Sequence, residues 1–315
     1  MSPRLPKRTV CRCIRDGTRL DGDSSKVSKA HPIFGVINFA VNTVVLAAFL
    51  MTVMGIGWEY STVVYLKGFS DAVIPYTSSP EDKVNAILKW MEHGAARRTE
   101  SSDYEPQYRD PEDTLNYQEL LRVCGTATNA FVNLGSSGGL KTRRLLLLDS
   151  EGLRTNHVVA EVWLGERWIV ADPSFHTVLR DDNGQLLSRE QLSIPSVFNH
   201  AVRDVKGYDL AYNYENTTHL HVTALPYIGR SVVRFLNFVF PQWDNPNVIN
   251  WTLLLERQSY AVLVTGMVLL LLGILLRGVV NWYGRTRLSE RPIGLWEQAK
   301  HAGFALLALP SLKVP

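Results

Sequence analysis

Residues 156–175 read NHVVAEVWLGERWIVADPSF, two apolar runs on either side of Gly165-Glu166. A glycine-first pair between runs rich in Val, Ile and Trp predicts a β-hairpin closed by a two-residue turn. That turn sets the register, with Trp163 opposite Trp168, Glu161 opposite Val170 and Val159 opposite Asp172. Side chains alternate between the faces of a strand, so His157 shares a face with Val159 and hence with Asp172. The two are expected as diagonal neighbours about 7–8 Å apart at Cα, within reach of an imidazole and a carboxylate. An odd loop would put them on opposite faces.

Upstream, the chain from Cys124 reads CGTATNAFVNLGSSGGLKTRRLLLL. Ala127, Ala130, Phe131 and Leu134 recur at helical spacing, and the helix is expected to stop in the Gly135 to Gly139 cluster, where glycine supplies a left-handed cap. Leu145 to Leu148 then reads as a short buried strand. Cys124 is the one cysteine between residues 61 and 257, so no disulfide forms within that stretch. A cysteine at a helix start feels the positive end of the macrodipole, which favours thiolate, whereas burial in an apolar site favours the thiol.

Taken in order, Cys124-Gly125 opens a helix, Gly139 to Arg143 (GLKTR) leads into a strand, His157 precedes Glu161-Val162-Trp163, and Trp168 precedes Asp172-Pro173. This series resembles the transglutaminase-like cysteine domain, whose Cys, His and Asp come from a helix start and two adjacent antiparallel strands, as in papain-type enzymes. The resemblance covers Cys124 to Phe175 closely and residues 80 to 225 loosely. It departs from the family at Gly125 and Val159, where aromatics often stand, and in Glu119 to Val123, which lacks the glycine often found before the cysteine.

The resemblance implies Cys124 as nucleophile toward an amide or acyl carbonyl, His157 as the group that takes and returns the proton, and Asp172 as the holder of the imidazole tautomer. Water on the thioester gives hydrolysis and an amine gives transfer. The Cys124 N–H is the first expected oxyanion donor. Gln118, six residues upstream, is a candidate for the second, against the simpler reading of a polar surface residue. The alternative function is a catalytically silent domain, a scaffold or binding module in an envelope or polysaccharide assembly.

Two runs carry no charge at all: 33–58 (IFGVINFAVNTVVLAAFLMTVMGIGW) and 258–276 (QSYAVLVTGMVLLLLGILL). Each is long enough as a helix to cross about 30 Å of hydrocarbon. The first is about twice the length of a signal-peptide apolar core and is not followed by a small-x-small cleavage site, so it reads as a retained anchor. Eight Lys/Arg lie between Arg4 and Lys29, while Lys67 alone occupies the 20 residues after Tyr60; Arg277, Arg285, Arg287, Arg291 and Lys300 follow the second run. The positive-inside rule then predicts both termini in the cytoplasm of a plasma (inner) membrane protein, with the segment between the spans outside. Trp58, Tyr60, Trp251, Tyr260, Trp282 and Tyr283 fit aromatic belts at the two interfaces.

The expected organisation is therefore a basic tail (1–32), a transmembrane helix (33–58), an extracytoplasmic α+β domain (61–257, core 80–225), a second transmembrane helix (258–282) and a tail (283–315). The domain has an antiparallel sheet and N-terminal helices. Its 19 basic and 24 acidic side chains contrast with 14 and 6 in the two ends, a segregation that follows compartments and not a nucleic-acid footprint. With 46% hydrophobic and 20% charged residues in 315, a disordered chain is excluded.

Within the domain, Val84, Ile87, Leu88 and Met91 predict an amphipathic helix over 80–94, and residues 97 to 114 read as an exposed loop or lid. Val232 to Phe240 is apolar enough to dock at a bilayer surface, and 293–309 reads as a helix lying on one. His219 and His221 share a strand face but lack a third ligand, and Cys11-Arg12-Cys13 makes a poor metal site. His176, His200, Arg143 and Glu161 read as structural, and Trp163, Trp168 and Phe175 as core aromatics. No metal or cofactor is expected. Expected partners are membrane lipid and a protein or peptide substrate, with other envelope proteins as further candidates and no nucleic acid.

Overall fold

The computed structural model describes residues 32–76, 78–94, 107–220, 229–243, 245, 251–290 and 292–300. By contacts the chain divides into Val41–Leu276 and the two ends, up to Ala40 and from Arg277. The first apolar run forms helix α1 (Pro32–Val73), 42 residues or about 63 Å long. It does not stop at Trp58. Its last turns carry Tyr65, Leu66, Phe69 and Val73 into the core of the domain.

α2 (Pro80–His93) starts where the sequence says it should. Ser79 and Asp82 form a reciprocal capping box and Pro80 occupies a first-turn position, where its missing N–H costs nothing. It buries Val84, Ile87, Leu88 and Met91, as the periodicity predicts.

The exposed loop expected up to residue 114 is corrected in its last part. Asp110 caps a short helix, α3 (Pro111–Asn116), which buries Pro111, Asp113, Thr114 and Leu115. The charge that suggested exposure is spent on the chain itself, since the Asp113 carboxylate accepts the Gln107 N–H at 2.7 Å. The rest of the stretch, 97–106, lies outside the described residues.

After one 3-10 turn at Glu119–Arg122 comes α4 (Cys124–Ser137). It ends in a Schellman arrangement: Leu140 N–H reaches the Gly135 carbonyl at 2.8 Å, Gly139 N–H reaches Ser136, and Gly139 takes φ +82.

Next in the chain are β1 (Lys141–Leu148), β2 (Thr155–Trp163), β3 (Trp168–Asp172) and β4 (Thr177–Val178). They are followed by α5 (Arg189–Leu192), α6 (Pro195–Val202), β5 (Thr217–Thr218), α7 (Gly229–Val239), α8 (Thr252–Glu256) and α9 (Gln258–Tyr283). The strands make one antiparallel sheet in the order β4-β3-β2-β1-β5.

The hairpin has the expected turn. Leu164 N–H donates to the Arg167 carbonyl at 3.0 Å, and of the two turn residues only Gly165 has positive φ, as a type II′ turn demands. The ladder runs from Trp163 opposite Trp168 to Ala160 opposite Ala171.

The sheet separates two apolar layers. Ala160, Val162, Ile169 and Ala171 pack with α2, α4 and the end of α1. Leu145, Leu147, Val159 and Val170 pack with Leu192, Phe198, Val202, Tyr208 and Tyr214. The domain is α+β with its helices and antiparallel sheet disposed as the sequence implied.

α1 and α9 are each long and apolar enough to cross a membrane. Between Val41 and Leu276 they meet on small residues. A methyl group added at Gly55 would lie 2.8 Å from the Leu263 Cα, and one at Gly266 would lie 3.0 Å from the Thr52 nitrogen. Glycine lets the two backbones come this close, the usual device where helices associate without water to drive them.

In the other unit, Asn38 Nδ2 donates to Asn281 Oδ1 at 2.9 Å, and residues 295–300 are helical. Most of the helix expected over 293–309 falls outside the described residues.

Candidate active site

Cys124 is the first residue of α4, with Val123 in the capping position. Valine has no side-chain acceptor, so the first-turn N–H groups stay directed at whatever lies ahead of the helix. The His157 ring and the backbone of Val158 and Gly125 all favour the charged form of the sulfur. The His157 bond is the largest influence and holds the thiol below its ordinary pKa, against the opposing effect of burial. The residue is half-buried, and a side chain added at neighbouring Gly125 would meet open space. Thr128, one turn on, donates to the Val158 carbonyl at 3.0 Å and ties α4 to β2 beside the histidine.

His157 sits where β2 slips against β1, since Leu147 pairs with His157 but Leu148 pairs with Thr155. Such a bulge re-aims the side chains next to it. The imidazole is buried and its Nε2 lies 2.7 Å from Asp172 Oδ2, which leaves Nδ1 for the thiol. Asp172, at the end of β3, is fixed through its other oxygen: Oδ1 accepts from the Ser174 N–H and hydroxyl, the latter at 2.7 Å, and from the Phe175 N–H. Burial alone would depress the His157 pKa. Hydrogen bonds and charge from Asp172 and Cys124 overcome it and raise the ring to about 9.

Aromatic rings surround this imidazole. Tyr212 lies flat on it, centroids 4.1 Å apart and planes 5° from parallel, with Phe175 at 6.0 Å and Tyr208 at 6.3 Å. Tyr208 and Tyr214 share a hydroxyl contact of 3.0 Å. Burial pushes both phenols well up, with Tyr214 and Asp172 adding to the effect on Tyr208. None of the three tyrosines is singled out by the strand and helix patterns. Their signal is the crowding in KGYDLAYNY, residues 206–214, which has no secondary-structure period. Phe175, expected as a core aromatic, packs against the second apolar layer and lies beside the imidazole as well.

The remaining candidates are placed as follows. Gln118 is exposed at the start of the turn before α4. Arg143 Nε donates to Glu161 Oε2 at 2.6 Å and its guanidinium lies 3.8 Å over the Trp168 ring. His219 Nε2 lies 2.6 Å from the same Glu161 oxygen. His200 pairs with Asp182 at the surface, and His176 occupies the turn after Asp172 with φ +52. His221, Cys11 and Cys13 lie outside the described residues. Among the described residues no cluster of three His, Cys, Asp or Glu could hold a metal ion.

A thiol at a helix start thus stands with an imidazole and a carboxylate carried by adjoining antiparallel strands of an α+β domain. Residues 67–173, from the last turns of α1 to the residue after Asp172, match the family model of the transglutaminase-like superfamily, core domain. Over that stretch the chain is similar to a superfamily whose members are usually enzymes. No curated protein and no solved structure matches it.

Proposed function

We propose that the chain is a membrane-anchored cysteine enzyme that acts on amide or peptide bonds at the outer face of the membrane, by hydrolysis or acyl transfer through a thioester. The single observation that carries this reading is the buried His157–Asp172 pair, 2.7 Å apart, acting on Cys124 at the start of α4, with the thiol lowered and the imidazole raised. Those opposite shifts favour a thiolate-imidazolium pair near neutral pH.

The Cys124 thiolate attacks the carbonyl carbon, and the charge that develops on oxygen is met by first-turn N–H groups, with the Cys124 N–H foremost and Gln118 as a candidate second donor. His157 then protonates the leaving amine. In the second half it takes a proton from water or from an acceptor amine, which attacks the thioester and restores the thiol. Asp172, locked by Ser174 and Phe175, keeps Nε2 occupied so that Nδ1 faces the sulfur.

Iodoacetamide labelling of Cys124 against pH tests the chemistry. The expected profile has its midpoint well below that of a free thiol, about 8.5, and His157→Ala moves it up. A free-thiol profile indifferent to His157→Ala would leave the silent scaffold as the reading.

The membrane part rests on the two apolar helices, the basic flanks and α7, which exposes Phe235, Phe238 and Val239. A membrane-impermeant maleimide added to intact cells is expected to label Cys124 and spare Cys11 and Cys13. Labelling of the tail cysteines instead would overturn the orientation.

A further inference from the structure

The helix that bears Cys124 has a second anchorage, on the segment where α8 ends and α9 begins. Cys124, Thr128 and Val132 form one row at i, i+4 and i+8. Asn129 and Asn133, both fully buried, lie about 100° further round the axis. Asn133 Oδ1 accepts from Arg257 Nε at 2.9 Å, and Asn133 Nδ2 donates to Asn129 Oδ1 at 3.1 Å. Asn129 Nδ2 in turn donates to Glu256 Oε2 at 3.1 Å, and Glu256 pairs with Arg144 of β1.

From Arg257 the network runs into the apolar helix pair. Its Nη1 donates to Glu59 Oε1 at 2.7 Å, and the Ser259 hydroxyl donates to Glu59 Oε2 at 2.7 Å. Glu59 belongs to α1, immediately after the uncharged run, and Ser259 to the first turn of α9. One guanidinium thus joins α1 to α4, while the residues on either side of it begin α9 and end α8.

A buried ion pair is a poor way to gain stability, because desolvating two charges offsets their attraction and apolar residues of similar volume pack as well. What the planar guanidinium supplies is direction: its fork fixes Glu59 and Asn133 at once, at set angles. We propose that Arg257, Glu59 and Asn133 are positioning residues for the thiol, through which the α1–α9 pair sets the placement of α4 and so the contact of Cys124 with His157. This rests on the reading of Cys124 as an activated thiol. Rearranging the helix pair then changes the state of the thiol through α4, while His157 and Asp172 are held on β2 and β3.

The test uses the full chain in phospholipid nanodiscs, with Cys11 and Cys13 changed to Ser, and follows iodoacetamide labelling of Cys124 against pH. Arg257→Lys keeps the charge but loses the fork. Asn133→Leu cuts the clamp on the α4 side and leaves the Arg257–Glu59 bond. Both are expected to raise the midpoint and to slow labelling at pH 6 at least fivefold. Glu59→Gln, which keeps the size and drops the charge, is expected to fall between them and the parent.

A merely structural role changes the unfolding temperature and leaves the profile of the folded protein where it was. Folded variants with the parent profile overturn the proposal. Should Asn133→Leu not fold, Glu59→Gln decides in its place, and a parent profile there overturns it equally. His157→Ala runs alongside. No effect of His157→Ala defeats the activated-thiol reading itself, whereas an effect there with none at the clamp defeats only the clamp.

Discussion

Two buried carboxylates on one face of the sheet each hold an imidazole nitrogen at nearly the same distance: Asp172 with His157 at 2.7 Å and Glu161 with His219 at 2.6 Å. They differ in what balances the charge. Beside Glu161 stands Arg143, directly opposite in the register and stacked on Trp168, a cation that does not titrate. Burial works against the Glu161 carboxylate, but His219 and Arg143 outweigh it and hold the group below its ordinary pKa. Among the described residues Asp172 has no such cation in its hydrogen-bonded shell. Its counter-charge is His157, and against burial this pairing, together with Cys124, raises that ring to about 9. Where a fixed cation neutralises a buried carboxylate, the cluster is structural. Where neutrality depends on a proton, the cluster can move one.

The contrast breaks most visibly at Asp172. Asp172→Asn keeps the shape but removes the Asp172 share of what raises His157, leaving Cys124 alone against burial. Turnover is expected to fall on the order of 10³-fold or more, as for loss of a triad carboxylate, and the Cys124 labelling midpoint to rise. The linkage has a definite sign. A ring raised from 6.5 to about 9 stabilises the fold fully below 6.5, and that contribution is lost as pH climbs through 9. Thermal unfolding followed between pH 6 and 9.5 should show this decline in the parent and little of it in Asp172→Asn.

Arg143→Met makes the complementary change. It leaves Glu161 buried with His219 alone, at an expected cost of about 3–5 kcal/mol in chemical denaturation, because a carboxylate loses its permanent partner. The labelling profile of the folded variant should stay where it was. A shifted profile would mean the two clusters are coupled along β2 and the contrast is false.

The sequence carried the hairpin and with it the His157–Asp172 face, because a two-residue turn leaves a single register and Gly165 can adopt the φ that turn needs. It carried α2 through Ser79, Pro80 and a clean apolar stripe. It did not carry the first half of β1, where Lys141, Arg143 and Arg144 read as a charged approach to the strand. Those arginines are paired with Glu161 and Glu256, partners distant in sequence. The polar clamp on Asn129 and Asn133 escaped for the same reason, since buried asparagines inside an apolar helix have no local signature. The tyrosines at 208, 212 and 214 reach the site from an irregular segment, and no periodicity points to a face there.

Tyr212 offers the finest test of what keeps His157 proton-active. Its ring lies flat on the imidazole, and its phenol is pushed up, chiefly by burial, so it stays neutral and does not compete as an anion. A π face over a cation contributes about 0.5–2 kcal/mol, which corresponds to roughly a third of a pH unit up to one and a half. Tyr212→Phe keeps the face and is expected to leave the alkaline limb of labelling and of the stability curve near pH 9. Tyr212→Leu removes it and should lower that limb by about one unit, with a smaller rise in the thiol midpoint. If Phe behaves as Leu does, the hydroxyl and not the ring sustains the imidazolium. If neither changes the limb, Asp172 and Cys124 alone sustain it, and the aromatic surround serves only to keep water from the hydrogen bond between His157 and Asp172.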